Sequence, residues 1–176
     1  YDSNKGKLIK TIELGRGWTE HLSWSNDGFF LATTFSKKVY VFNQFGKEEW
    51  ISEDHPSTVS AINWSNKNEL ATACYGRVTF FDINNKKINQ KLEWQGSLIS
   101  MKLSPDGDIV ACGSQDNSVH FWRRSTGLDA EMTGYPGKPN HLSFDESGTF
   151  LATSGSERIT VWSFKGNGPE GTIPGE

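Results

Sequence analysis

Cysteine is scarce in this chain. Cys74 and Cys112 are the only two among 176 residues, too few for a disulfide scaffold and in keeping with a reducing, cytoplasmic setting. Proline is sparse as well, 6 residues against 18 glycines, which excludes collagen-like and proline-rich architectures and points to many tight turns. No apolar run approaches the roughly 18 residues of a membrane-spanning helix, so no membrane insertion is expected. No window holds a helical period of useful length. Neither charge is in surplus: 18 basic and 21 acidic residues leave a net charge of −3, a balance that argues against a dedicated nucleic-acid binder. An initiator Met is missing at Tyr1, no basic-then-apolar leader follows it, and a Gly- and Pro-rich stretch precedes Glu176. Both ends read as cuts in something longer.

Aromatic residues, by contrast, are plentiful at 12%, with 7 Trp and 11 Phe, and a disordered polymer would be poor in them. They recur in register. An apolar-x-large apolar-x motif appears as Leu22-Ser23-Trp24-Ser25, Ile62-Asn63-Trp64-Ser65, Met101-Lys102-Leu103-Ser104 and Leu142-Ser143-Phe144-Asp145. Its third positions are 40, 39 and 41 residues apart. An aliphatic-Ala pair follows each copy: Leu31-Ala32, Leu70-Ala71, Val110-Ala111 and Leu151-Ala152. A third landmark joins a β-branched residue to an aromatic one: Val39 to Phe42, Val78 to Phe81, Val119 to Trp122 and Ile159 to Trp162. Three landmarks in register over four copies establish an internal repeat.

Within each unit the hydrophobic period is two, the strand period, and some strands are apolar on both faces as in doubly covered sheets. Asn26-Asp27-Gly28, Ser104-Pro105-Asp106-Gly107 and Glu146-Ser147-Gly148 read as hairpin turns with glycine at the φ > 0 position. The second copy offers Asn66-Lys67-Asn68, where Asn is the next best residue. Each unit of about 40 residues therefore reads as four short antiparallel strands, the size of a propeller blade.

These residues resemble the tryptophan–aspartate (WD) repeat β-propellers. The third copy carries the likeness best, from Leu103-Ser104-Pro105-Asp106-Gly107 through Val110 to His120-Phe121-Trp122, with Phe81-Asp82 at the signature dipeptide of the second and Trp162-Ser163 in the fourth. The resemblance implies an all-β propeller segment, with blades over 15–54, 55–94, 95–134 and 135–176. Residues 1–14 would close a preceding blade, with Tyr1-Asp2 as its signature dipeptide and Lys7–Leu14 as an orphan outer strand. Such propellers commonly close with seven blades. The chain is therefore expected to be part of a longer ring, with two alternatives: a four-blade ring latched by the orphan strand, or half of a ring made by two copies. The family's hydrogen-bonded set of His, strand Ser or Thr, loop Asp and Trp maps unevenly. Its His slot holds Gly15 or a neighbour, His55, Trp94 and Tyr135; its loop Asp is clear only at Asp116; its Trp survives at Trp122 and Trp162 but is Phe42 and Phe81 elsewhere. Aromatic packing and ladder bonds are expected to replace the incomplete set.

Little points to catalysis. His21, His55, His120 and His141 fall on different copies, His21 and His141 in one repeat slot where a structural role is expected. No metal-ligand spacing and no nucleophile elbow or phosphate loop is present, so no catalytic, metal or cofactor residue is assigned. An enzyme would need a site completed by blades outside the chain. Cys74 and Cys112 occupy different slots, which disfavours a disulfide. Asn63-Trp64-Ser65 is a formal glycosylation sequon, but it falls on an innermost strand with no room for a glycan.

Binding is the expectation, as a non-catalytic scaffold for a protein or peptide. One propeller face collects the loops that join outer strand to next inner strand and second strand to third. They carry Arg16, Trp18, Phe35, Tyr75, Arg77, Trp94, Tyr135 and Arg158, residue types that dominate interface energetics. For Phe35, Trp94 and Tyr135 packing between blades is expected ahead of partner contact. The alternative is nucleic-acid or anionic-lipid binding by a basic rim of turns holding Lys5, Lys7, Lys47, Lys86, Lys87, Arg123, Arg124 and Lys165. Asp27, Asp106, Asp145 and Glu146 nearby would weaken that field.

Overall fold

A computed structural model describes residues 4–65 and 68–165. Among them every regular element is a β-strand and every ladder is antiparallel. The first sheet runs β1 (Leu22–Trp24), β2 (Phe30–Phe35), β3 (Lys38–Asn43) and β4 (Glu48–Ile51) in sequence order. The second joins β5 (Ala61–Trp64), β6 (Glu69–Asp82), β7 (Lys87–Leu103), β8 (Ile109–Ser114), β9 (Val119–Arg123) and β10 (Leu128–Met132). The third holds β11 (Leu142–Phe144), β12 (Phe150–Thr153) and β13 (Thr160–Ser163). The supposed dipeptide Tyr1-Asp2, most of the turn at Asn66-Lys67 and the tail from residue 166 lie outside the described residues.

The second sheet contains two blades. Thr72 Oγ1 in β6 donates to the Thr79 carbonyl at 3.4 Å, whereas seven residues of straight strand would separate them by about 23 Å. The chain therefore folds back at Tyr75-Gly76-Arg77, where Gly76 has φ +85°. In β7 the stretch from Lys87 to Glu93 pairs with β6, and Leu98 to Leu103 pairs with β8. One continuous strand thus serves as the outer strand of one blade and the inner strand of the next. The expected outer strand at Lys7–Leu14 does not form: Lys7 makes an isolated bridge and residues 8–14 carry no ladder. An outer strand needs a third strand beside it, and here Lys10 instead donates to the Gly46 carbonyl at 2.7 Å.

Two turns keep the repeat register at the level of φ. Between first and second strands the left-handed residue is Gly28, Asn68, Gly107 and Gly148. Between third and fourth strands of the first three units it is Gly46, Lys86 and Gly127. Asn tolerates that region, but Lys86 at φ +55° bears the steric penalty of a Cβ. The first of these turns is also cross-linked by side chains. Ser25 Oγ donates to Asp27 Oδ1 at 2.6 Å and accepts from Phe30 N; Ser104 and Asp106 repeat the arrangement. In the fourth unit the pair is reversed: Ser147 Oγ donates to Asp145, and Asp145 takes the Phe150 amide.

Each seam between neighbouring units contains its own apolar cluster. Ala32, Val39 and Val41 of the first unit meet Ile62, Trp64 and Phe81 of the second. Ala73, Val78 and Phe80 meet Leu98, Met101 and Leu103. Val119 and Phe121 meet Tyr135, Leu151 and Phe164. Side chains of this size stabilise by about 1.5–3 kcal/mol each on full burial. Polar stitches cross the same seams, from Trp64 Nε1 to Ser23 O, Ser60 Oγ to Leu98 O and Ser100 Oγ to Pro139 O. At Gly113 an added Cβ would lie 2.0 Å from the Pro139 carbonyl oxygen, so only glycine fits there. The outermost copies lack this cover: Leu22 and Trp24 are 68% and 52% exposed, Ile159 79%.

Replacing Lys86 by Gly removes the left-handed strain and should raise stability by about 1 kcal/mol, read as an increased thermal midpoint. The Asp27 and Asp145 carboxyls are held below their ordinary value by the hydroxyls of Ser25 and Ser147 and by turn amides. Folding thus favours the ionised forms, so their contribution is complete above the ordinary carboxylate range and is lost as pH falls through the lowered values. Melting temperature should drop below about pH 4, and an Asp27→Asn/Asp145→Asn double variant should show a shallower drop.

Candidate functional site

The residue after each aliphatic-Ala pair is Thr33, Thr72, Cys112 and Thr153, and in the second and fourth units the His-slot residue meets it. In the second unit His55 Nε2 and Thr72 Oγ1 lie 2.9 Å apart, and His55 Nδ1 reaches the Lys37 carbonyl at 2.9 Å. Burial pushes the His55 pKa down. In the fourth unit Tyr135 takes over: its hydroxyl is 2.7 Å from Thr153 Oγ1 and accepts from Trp162 Nε1 at 2.8 Å. The expectation that packing and ladder bonds alone replace the set is therefore corrected in these two units. A phenol is long enough to reach the same hydroxyl.

The third unit has neither partner. With Cys112 at the hydroxyl position, Trp94 stacks on His120 at 3.7 Å between ring centroids, and its Nε1 finds no acceptor. His120 Nε2 lies 3.0 Å from the Asp129 carboxylate. Asp116 closes its own turn by accepting from Ser118 Oγ. Cys112 and Cys74 are free buried thiols, both with pKa raised by burial, which keeps them protonated and unreactive. Among the described residues no group of three His, Cys, Asp or Glu side chains could hold a metal ion.

The expected partner-binding residues separate into three environments. Tyr135 is buried in the hydrogen-bonded trio, Trp94 packs against His120, and Phe35 lies under Gly15 and Gly17 with its ring edge toward Tyr40. Trp18 and Tyr75 are 86% and 58% exposed, and Arg16 and Arg158 are exposed on loops. Tyr75 borders a cleft of about 600 Å³ at the inner ends of the sheets, shared with Glu20, His21, Ser57, Leu98 and Gln115. The loop that bears Trp18 leads directly into Glu20 and His21. Arg77 leaves this group and enters a cavity on the outer rim, between β4 and the first half of β7. Nothing in the repeat pattern signals that cavity, because its walls come from two units.

His21 and His141 share a backbone role, each amide donating to a hydroxyl, Thr34 in β2 and Ser154 just after β12. Their rings are half-buried and exposed respectively. The basic rim is partly neutralised: Arg124 pairs with Glu69 at 2.9 Å and lies over the Phe80 ring, and Arg123 is 3.5 Å from Asp108. Among the described residues no helix is long and apolar enough to cross a membrane.

Residues 87–123 match the family model of the WD domain, G-beta repeat. Pre-mRNA-processing factor 19 homolog 2 of Arabidopsis thaliana is 25% identical over 94% of this chain and 34% of its own length. Cell division cycle 20.4, cofactor of APC complex, from the same plant is 24% identical over 71% of this chain and 30% of its own. The chain thus spans about a third of these relatives. A chain in the crystal structure of the mitotic checkpoint complex superposes with a TM-score of 0.81 at 18% identity, covering 93% of this chain and 53% of that one.

Tyr135→Phe should cost about 1–3 kcal/mol, because the Trp162 indole N–H loses its closest acceptor inside the blade. The loss is measurable as a lower denaturation midpoint.

Proposed function

We propose, from the premise that the chain is a run of WD-repeat β-propeller blades, that it is a non-catalytic scaffold whose inner-end mouth receives a protein or peptide segment. The observation that carries this reading is the exposure of Tyr75, 58%, at the rim of that cleft, and of Trp18, 86%, on the loop that leads into its lining residues Glu20 and His21. Neither ring takes part in a seam cluster. Large aromatics free of packing duty, at the rim of a cleft, are the usual anchors of protein interfaces. Arg16 and Arg158, on loops of the first and last units, add forked donors to the same reading. Propellers of this family generally serve as interaction scaffolds, and two of the relatives carry processing-factor and cofactor names.

The blade boundaries 15–54, 55–94, 95–134 and 135–176, with residues 1–14 from a preceding blade, belong to this proposal. So do a cytoplasmic setting and further blades of the parent chain, or a second copy, covering the exposed Leu22, Trp24 and Ile159. No observation favours the basic rim as a nucleic-acid or lipid surface, since Arg123 and Arg124 already face Asp108 and Glu69. A Trp18→Ala/Tyr75→Ala double variant should lose at least tenfold in capture of partners by crosslinking, with its melting temperature unchanged. Undiminished capture by that variant refutes the mouth as the binding surface.

A further inference from the structure

The outer rim between the first and second blades holds a cavity of about 500 Å³, separate from the mouth. Its floor is aromatic: Trp50 and Phe81 meet at 4.9 Å between ring centroids. Ile51 and Ile88 stand at its sides, 36% and 48% exposed. Four cations line it, Arg77, Lys86, Lys87 and Lys91. Against them stand two carboxylates, Glu53 and Asp54, and Asp54 is 3.7 Å from Lys38 outside the cavity. This local excess of positive charge runs counter to the chain's net charge of −3.

Arg77 gives the cavity its chemistry. Its Nε is buried and has no hydrogen-bond partner, and a desolvated charged donor left unpaired is destabilising. A carboxylate in the cavity is the group that fits this guanidinium, because the two pair through short charge-assisted bonds. The walls are extended backbone. β4 ends its sheet, and the first half of β7 is the outermost strand of its blade. Both strands carry a bulge, opposite Val41/Phe42 and Phe80/Phe81, and bulges re-aim side chains. Here Ile88 and Lys87 line the cavity, while Asn89 bonds to Glu69 in the other direction.

We propose that this groove binds an acidic peptide segment in extended form, its apolar side chain on the Trp50–Phe81 floor and its carboxylates on Arg77 and the three lysines. The site is independent of the mouth at Trp18 and Tyr75. The cations supply orientation and the floor supplies contact area, so neither charge nor apolarity alone suffices.

Fluorescence polarisation on the full chain tests this. The probe is a labelled ten-residue peptide with Ile and Phe separated by one glutamate and flanked by glutamates. Saturable binding below 1 mM is expected. It should weaken at least tenfold when Gly replaces the Ile and Phe, and at least tenfold in a Lys87→Glu/Lys91→Glu variant, both positions being exposed. The Trp18→Ala/Tyr75→Ala variant should bind the probe normally, which separates this site from the mouth. Absence of saturable binding overturns the proposal, as does undiminished binding by the lysine variant. Equal affinity for polyglutamate or a ten-base oligonucleotide also overturns it, by reducing the site to general polyanion attraction.

Discussion

Burial of sheet faces against neighbouring units is the constraint on which this molecule depends. A blade of four short strands is too thin to contain a core of its own, so its apolar residues find one only across a seam. That is why the three clusters group residues of adjacent units. It also explains why strands such as β8 are buried along their whole length, a pattern that a sheet with one wet face would not tolerate. The seam therefore selects sequence at both its sides, and the repeat of about 40 residues is the record of that selection.

Hydrogen bonding inside the blades is secondary to the seams, and its variation shows how much freedom they leave. Three units use three solutions at one place. His55 with Thr72 is one, Tyr135 with Thr153 and Trp162 another, and Trp94 stacked on His120 beside Cys112 the third. Each fills the space beside the second strand, and two of the three also satisfy the polar groups there. The reversed Ser and Asp of the first turns carry the same lesson, since donor and acceptor can exchange places provided both remain.

What could be read from the sequence was whatever repeats with position. The strand order, the left-handed turn slots and the aromatic landmarks follow from chain-local rules, and Asn68 at φ +55° stands where Asn66-Lys67-Asn68 placed a turn. What could not be read depends on a partner in another unit. Arg124 looks like a basic surface residue until Glu69, 55 positions earlier, is brought beside it. Arg77 falls in the same loop as Tyr75, yet its side chain turns to the outer rim while Tyr75 faces the mouth. The orphan strand at Lys7–Leu14 shows the converse. Its composition suits a strand, but a ladder requires a neighbour and composition cannot supply one.

The contact at Gly113 gives the seams unequal mechanical character. Between the first and second blades the join is cushioned by the Trp64 and Phe30 rings, stacked at 6.2 Å, and side chains of that kind can slide or change rotamer under load. Between the third and fourth, the side-chain cluster is supplemented by a close approach of main chain to main chain, Gly113 against Pro139. That close approach leaves the join less room to slide at Gly113 than at the ring-cushioned seam, so a bending force across the arc would open the first join before the last.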